Sequence, residues 1–501
     1  MAASSKPVFT TEQVVDRLLS GGYWDGAASG VSYSFMGGAP ASMPEGVTGF
    51  SAFNAQQIHG AELALQAWAD VAAIRFGRIG SGDAGAGAYS DDGSIRFAGF
   101  SEGMDGSAAF TYLPNAPGSR SPASLEGDGW YNATLAYNAN PLVGAYGQKV
   151  LVHEIGHALG LRHPGDYDGG DTITYAGSAG FQQDSQQFTV MSYFTEASTG
   201  AYYGGAYAAA PQLMDIAAIQ QLYGANLGAF LGDTTYGFHS TAGRPWFAAA
   251  DAGSKLVFTV WDAGGVDTLD FSGYGQAQRI DLNPGHFSDV GGLTGNVAVA
   301  FGTVIENALG GAGADTVIGS GANNFLLGLD GADSVFGGDW DDDINGNVGN
   351  DTVDGGDGRD WVRGGKDGDL VFGGAGDDPH VNGNRGNDTV HGNDGADTVY
   401  GGQGDDSVLG DAGDDLVSGD LGSDILAGGA GADRFALRPE GGADWVVDFD
   451  GAEGDRVQVA AGVAYSVTAY QDQVVVVLAT GDSLGLVGVS PARFGDWIVY
   501  G

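Results

Sequence analysis

Apolar positions change their spacing twice along this chain of 501 residues. Over 11–20 they recur as in a capped helix that closes on Gly21-Gly22, and over 31–35 they alternate as in a strand. Residues 54–72 return to helical spacing, with Ile58, Leu63, Leu65, Trp68 and Val71 as the expected core and His59 read as structural. Strands are expected over 94–100 and over 108–113, ahead of Pro114-Asn115. A helix is expected over 148–159, and another begins at Pro211, carries Leu213, Ile216, Ile219 and Leu222, and ends at Gly224. From about residue 225 the pattern turns to short strands between Gly-rich turns, for example over 255–260 and 267–271.

From Gly310 to Ala436 a third regime sets in. A nonapeptide, G-G-x-G-x-D-x-U-x with U apolar, recurs fourteen times. Its sixth position is Asp at 315, 333, 342, 351, 360, 369, 378, 388, 397, 406, 415, 424 and 433, and Asn at 324. Such a period predicts a parallel β-roll: the apolar eighth positions stack inside and glycines make the turns. Asp side chains with turn carbonyls then cage calcium between coils. Thus Asp315, Asp333, Asp342, Asp351, Asp360, Asp369, Asp378, Asp388, Asp397, Asp406, Asp415, Asp424 and Asp433 are the expected calcium ligands. An extra residue at Pro379-His380 is expected to interrupt a strand. Strands over 444–449 and 473–478 form a terminal cap.

Charge sharpens this picture. Acidic residues outnumber basic ones 63 to 19, a formal net charge of −44, which disfavours nucleic acid and anionic membranes as partners. The repeats alone hold 26 Asp against five Lys or Arg, so they should stay unfolded until cations neutralise them. The chain has no cysteine and no run of 18 apolar residues, so neither disulfides nor a spanning helix is expected. Met1 to Pro7 has no apolar signal-peptide core, so any export is expected to ignore the N-terminus.

The chemistry concentrates in 152–163, Val-His-Glu-Ile-Gly-His-Ala-Leu-Gly-Leu-Arg-His. His153 and His157 are four residues apart, one helical turn, and can both reach one zinc ion. Gly160 can take positive φ, end the helix and return the chain so that His163 becomes a third ligand. Three ligands leave one position open, as hydrolysis requires, and Glu154 is placed to act as general base on water. Ala109, Phe110, Thr111 and Tyr112 are nominated as a strand bordering the cleft that pairs with extended substrate. Two G-x-S-x-G matches, at 99–103 and 481–485, are not followed by helical spacing, so a lipase is set aside.

Met191-Ser192-Tyr193 resembles the methionine turn of metzincin proteases. With the zinc motif, the repeats and stretches such as His163-Pro164-Gly165-Asp166-Tyr167 and Val260-Trp261-Asp262-Ala263-Gly264-Gly265, the chain resembles the serralysins. These are secreted calcium-stabilised zinc endopeptidases of Gram-negative bacteria with RTX repeats. The resemblance implies an α+β metzincin-type protease domain followed by an all-β parallel β-roll with a C-terminal β cap. It implies Tyr193 as an extra zinc ligand at rest that later stabilises the oxyanion, and Met191 as packing beneath one catalytic zinc. It further implies calcium at Asp262, Gly264, Gly265, Asp267 and Glu306, and at Gly311, Gly313 and Asp315. Type I (ABC) secretion, protein substrates, a monomer and an extracellular or surface-retained location follow from the same resemblance. The divisions expected are a short tail or propeptide over 1–10, a catalytic domain over 11–225, a β-rich connection over 226–309, the roll over 310–436 and a cap with secretion signal over 437–501. The alternative is a calcium-dependent surface adhesin with a silent protease domain.

Overall fold

In the first compact unit a five-stranded sheet carries the helices. The computed structural model describes residues 6–28, 30–104, 106–115, 124–167, 173–470, 473–490, 494 and 497–501. Residues 1–5 of the expected tail, and Gly495 and Asp496 near the C-terminus, lie outside the described residues. Two compact units emerge: Met1–Gly265 with Pro284–Asp289 and Leu293–Thr303, and Val266–Asn283 with Val290–Gly292 and Val304–Gly501.

The sheet of the first unit uses β1 (Val31–Phe35), β2 (Phe76–Arg78), β3 (Ile95–Phe100), β4 (Ala109–Thr111) and β5 (Asp128–Asn132). They lie in the order β2-β1-β3-β5-β4, parallel except for β4, which pairs antiparallel with β5 at the edge. Every residue of β3 and β5 is buried, as strands covered on both faces should be. The rings of Phe35, Phe53, Phe97 and Tyr131 pack together at centroid distances of 5.2–6.3 Å.

Four helices matter to the site: α1 (Thr11–Leu18), α2 (Ala55–Val71), α3 (Tyr146–Ala158) and α4 (Leu213–Tyr223). Thr10 caps α1 through a reciprocal box with Gln13. That helix stops at Leu18, short of residue 20, because Leu19 turns extended and bridges to Leu161. α2 lies against α3, with the Trp68 indole donating to the Val152 carbonyl at 3.0 Å. Of the expected α2 core, Ile58, Leu65, Trp68 and Val71 are buried, whereas Leu63 is only partly so and His59 is exposed. α4 begins at Leu213, with Gln212 as its N-cap, because the Asp215 carboxylate accepts the Gln212 N–H at 2.9 Å. Pro211 therefore precedes the helix, and Leu222 near its end is partly exposed.

In the second unit the repeats wind into a parallel roll. Successive strands fall alternately into two sheets, so each strand pairs with one a full coil away, as Phe325 does with Asp343 and Ser334 with Thr352. All fourteen eighth-position residues, from Val317 to Phe435, have no exposed surface. The expected interruption at Pro379-His380 does not occur. Pro379 is taken up in the turn, the strand His380–Arg385 forms intact, and pairing simply shifts to Trp361 with His380 and Leu370 with Thr389. Ala443–Val446, Arg456–Val459, Ser483–Leu486 and Ile498–Tyr500 add parallel strands beyond the repeats, and Gln473–Leu478 pairs antiparallel with Tyr465–Tyr470.

Candidate active site and cation ladder

Three imidazoles converge at the end of α3. His153 and His157 sit one turn apart on a helix buried from Gly147 to Ala158. Gly160 then takes φ +105°, and a Cβ there would strike the Gly22 carbonyl oxygen at 2.1 Å, so glycine is required twice over. The chain doubles back and delivers His163. Each ring is oriented by a backbone carbonyl at Nδ1: Val190 for His153 at 2.7 Å, Leu161 for His157 at 2.8 Å and Tyr167 for His163 at 3.2 Å. A carbonyl can only accept, so Nδ1 carries the proton and every Nε2 offers a lone pair. The Nε2 atoms of His157 and His163 are 3.1 Å apart, and those of His163 and His153 3.3 Å. Such pairs cannot hydrogen-bond to each other, and they repel unless a cation lies among them. Tetrahedral zinc with bonds of about 2.0–2.1 Å spaces its ligands about 3.3 Å apart, so the donor set fits zinc. Burial holds His153 well below its ordinary pKa and lowers His163 to about 4, which keeps both in the neutral, ligating form.

Glu154 faces the same place. Its Oε2 is buried and has no hydrogen-bond partner among the described residues. Burial raises its pKa to about 7, against the opposing pull of the Thr111 hydroxyl and the Lys149 ammonium. A cavity of about 320 Å³ opens here, lined by Gly106 to Ala109, Tyr146, Lys149, Val150, His153, Glu154, Ile173, Gln186 and Tyr193. The Tyr193 ring lies 4.3 Å from that of His163 and 6.0 Å from that of His153. Met191 is fully buried beneath α3, where a Cβ on Gly156 would come within 2.6 Å of its sulfur. Of the nominated strand, Ala109 lines the cavity and Ala109–Thr111 form β4. Tyr112 lies past the strand but still donates its N–H to the Asp128 carbonyl at 3.2 Å.

Two buried carboxylates, absent from the expected site, hold the ligand loops. Asp215 accepts the Thr189 hydroxyl at 2.5 Å and the Val190 N–H at 2.8 Å, and so fixes the carbonyl that orients His153. Asp184 accepts the Tyr167 and Ser192 hydroxyls, both at 2.7 Å, and so fixes the segment whose carbonyl orients His163. Both Asp side chains are fully buried. Lys149 is the third unexpected residue, a buried cation one turn before His153.

The roll repeats one arrangement. From Asp333 to Asp433, Oδ1 of each sixth-position Asp accepts the backbone N–H of its counterpart one coil earlier, as Asp406 does from Asp388 at 2.9 Å. Oδ2 is left buried and without a hydrogen-bond partner among the described residues in all twelve Asp from Asp333 to Asp433. It faces a small gap: a Cβ on Gly401 would lie 2.5 Å from Asp406 Oδ2 and 2.7 Å from the Gly419 carbonyl oxygen. An oxygen-lined gap with an unmatched carboxylate suits a hard cation such as calcium. Asp315 differs, since its Oδ2 accepts the Gly311 N–H at 2.6 Å, and Asn324 offers an amide instead. The ladder also runs past the repeats: Asp424 donates its N–H to Asp444, and Asp433 to Asp455, both at 3.1 Å. Elsewhere, Asp262 accepts the Tyr236 hydroxyl at 2.7 Å and the Gly264 N–H at 2.9 Å. Within the second unit the Glu306 carboxylate accepts the Asp267 N–H at 2.7 Å.

Family models match several stretches of the chain. A matrixin family model matches residues 51–185, and the model described as the peptidase M10 serralysin C terminal matches 225–357. RTX calcium-binding nonapeptide repeat models match 345–378, 380–408 and 402–435. Metallopeptidase AprA of Pseudomonas marginalis is 44% identical over 65% of this chain and 68% of its own length. The chain belongs to the serralysin family. Serralysin C of Dickeya chrysanthemi is 46% identical over 64% of this chain and 66% of that protein, and a serralysin of Photorhabdus luminescens 45% identical over 59% of each. The chain is accordingly a calcium-stabilised zinc metalloendopeptidase of the metzincin type, with catalytic zinc and structural calcium as its metals. The silent adhesin is not favoured. A solved lipase, LipA of Serratia marcescens, overlaps 37% of this chain and 44% of its own at 19% identity and a TM-score of 0.17, too low to bear on fold or activity. Among the described residues no helix is long and apolar enough to cross a membrane.

Proposed function

We propose that His153, His157 and His163 hold the catalytic zinc through Nε2 and that Glu154 is the general base of peptide-bond hydrolysis. The observation that carries this is the convergence of three Nε2 atoms within 4.8 Å of one another beside the unpartnered Glu154 Oε2. Bound there, zinc supplies a Lewis acid that polarises a carbonyl and acidifies water. Glu154 Oε2 takes the proton from the attacking water and hands it to the leaving amine. A carboxyl with a pKa of about 7 is matched to both transfers near neutrality. The Tyr193 hydroxyl, on the rim of the same cavity, donates a hydrogen bond to the oxygen that gains charge in the tetrahedral intermediate. Main-chain groups of Ala109, Phe110, Thr111 and Tyr112 align the substrate along the outer side of β4, which pairs with β5 on its other side. Gly160 supplies the turn that brings in His163, and Met191 the floor under α3.

In the second unit the unmatched Asp Oδ2 atoms, with turn carbonyls, take calcium, and Asp444 and Asp455 prolong that ladder. Asp262, Gly264, Gly265, Asp267, Glu306, Gly311, Gly313 and Asp315 enter as calcium ligands on the family resemblance alone. The enzyme works outside the cell on protein substrates, as a monomer exported by a type I apparatus. A roll that needs calcium to fold suits millimolar extracellular calcium. Cleavage of an unstructured protein, with zinc and calcium present, tests the assignment. Wild type should cut, and Glu154→Ala should lose nearly all turnover while keeping its zinc. Wild-type turnover in that variant would sink the role of Glu154.

A further inference from the structure

Lys149 is a charged group of the active-site cavity that hydrolysis does not use. Its side chain is only 5% exposed, yet it makes no hydrogen bond or ion pair among the described residues. Burial pulls its pKa down to about 8, with Glu154 and Asp215 pulling it back, so the ammonium stays largely charged at neutral pH. A buried cation without a partner is costly, and in a chain with 63 acidic residues a local carboxylate would have been easy to supply. Among the described residues none forms an ion pair with it, and Glu154 and Asp215 act on it only through their longer-range fields. Instead Lys149 lines the cavity of about 320 Å³ together with Tyr146, Val150, Gln186 and the catalytic Glu154. The cavity is large enough for one amino-acid side chain, and its other walls are apolar or neutral apart from the catalytic residues.

We propose that Lys149 is a specificity residue whose ammonium receives a carboxylate of the substrate beside the scissile bond. The inference rests on the reading of this cavity as part of the protease site. The desolvation already imposed on the cation makes an incoming carboxylate a stronger partner than water was. A neutral side chain in the same place leaves the ammonium buried and unmatched. An Asp or Glu side chain of an internal residue supplies that carboxylate, and so does the free C-terminus of a short peptide.

Two measurements on the zinc- and calcium-loaded full chain test it. In the first, kcat/KM is compared for peptides that differ only by Glu or Gln at each position flanking the cleaved bond, with C-termini free or amidated. Wild type should prefer Glu at one position by about tenfold or more. Lys149→Met should bring that ratio near one, and Lys149→Glu should turn the preference to Lys or Arg. A preference that follows the free C-terminus, and vanishes on amidation, would identify the chain end as the source. In the second, the same peptides are titrated against the Glu154→Ala chain, so binding is read without turnover. A Glu-to-Gln ratio near one in binding and in turnover, or a ratio that survives Lys149→Met, would overturn the proposal. A binding ratio that holds while wild type fails to cut would instead sink the reading of the site as a working protease and leave Lys149 standing.

Discussion

The catalytic site and the roll both gather atoms able to ligate a cation, but they reach that state by opposite routes. In the first unit every part is singular: three histidines, each oriented by a different carbonyl, two of those carbonyls held by Asp215 or Asp184. In the roll one part is copied: an Asp whose Oδ1 is spent on the preceding coil and whose Oδ2 is spare, repeated twelve times. A singular site concentrates its sensitivity in a few groups, whereas a repeated one spreads it over neighbours and fails collectively. The difference also lies in charge. On the proposed assignment three histidines share one cation, while the Asp ladder is a stack of like charges that needs many.

Calcium removal should therefore give the largest effect, and its pH dependence has a definite sign. Burial first, and neighbouring Asp after it, raises the folded-state pKa of Asp333 to about 7, Asp342 to about 8, Asp369 to about 8 and Asp406 to about 7. Unfolded Asp titrates near its ordinary value of about 3.9. The folded roll without calcium thus binds more protons than the unfolded chain, and its stability falls as pH rises from about 4 to about 8. A chelator at pH 7.5 should abolish the strand circular dichroism of the roll, and acidification toward pH 5 should restore part of it. A chelated roll that melts at the calcium-loaded temperature at pH 7.5 would break the comparison.

In the catalytic unit one group suffices. Asp215→Asn exchanges the acceptor of the Val190 N–H and the Thr189 hydroxyl for an amide, and so loosens the carbonyl that aims His153. Zinc affinity, read by chelator competition, should fall by about 10- to 100-fold. An unchanged affinity would mean that the Val190 loop holds itself.

The same exchange in the ladder should be mild and should change sign. Asp369→Asn removes an oxygen assigned to calcium in the proposed function, but also a like charge beside Asp351 and Asp388. With calcium, thermal unfolding of the roll should move down by a few degrees; in chelator at intermediate pH it should move up. Destabilisation in both conditions would show that the Oδ1 bond to Asp351, not the charge, dominates.

What could be read along the chain divides in the same way. The zinc motif was legible because His153 and His157 are one helical turn apart and Gly160 marks the reversal to His163. The roll was legible because its period is nine. Lys149, Asp184 and Asp215 left no such trace, since their roles depend on segments brought together only by the fold. Asp444 and Asp455 were missed because they fall eleven residues apart, outside the nonapeptide period, although they continue the ladder. Pro379 misled for a related reason: an inserted residue breaks a period in sequence, but a turn absorbs it without loss of pairing. Boundaries at Leu18 and Leu213 were set by partners, the Leu161 bridge and the Asp215 carboxylate, that local spacing does not contain.

The smallest expected effect probes how tightly the singular site is packed. Gly156 lies inside α3, where alanine would favour the helix by about 1 kcal/mol. Its Cβ, however, would sit 2.6 Å from the Met191 sulfur and 3.1 Å from Trp68 Cζ2, in a region with no exposed surface. Overpacking of this kind costs about 1–3 kcal/mol, and the end of a methionine side chain can yield more readily than backbone. The two contributions nearly cancel, so Gly156→Ala should shift thermal unfolding of the catalytic unit by only a few degrees, downward. Its effect on kcat/KM should be larger in proportion, a several-fold loss, because the displaced Met191 adjoins the residue whose carbonyl orients His153. A loss of stability without a loss of activity would mean that Met191 serves as core alone. A loss of activity at unchanged stability would show that the floor beneath the histidines is part of the aim of the site.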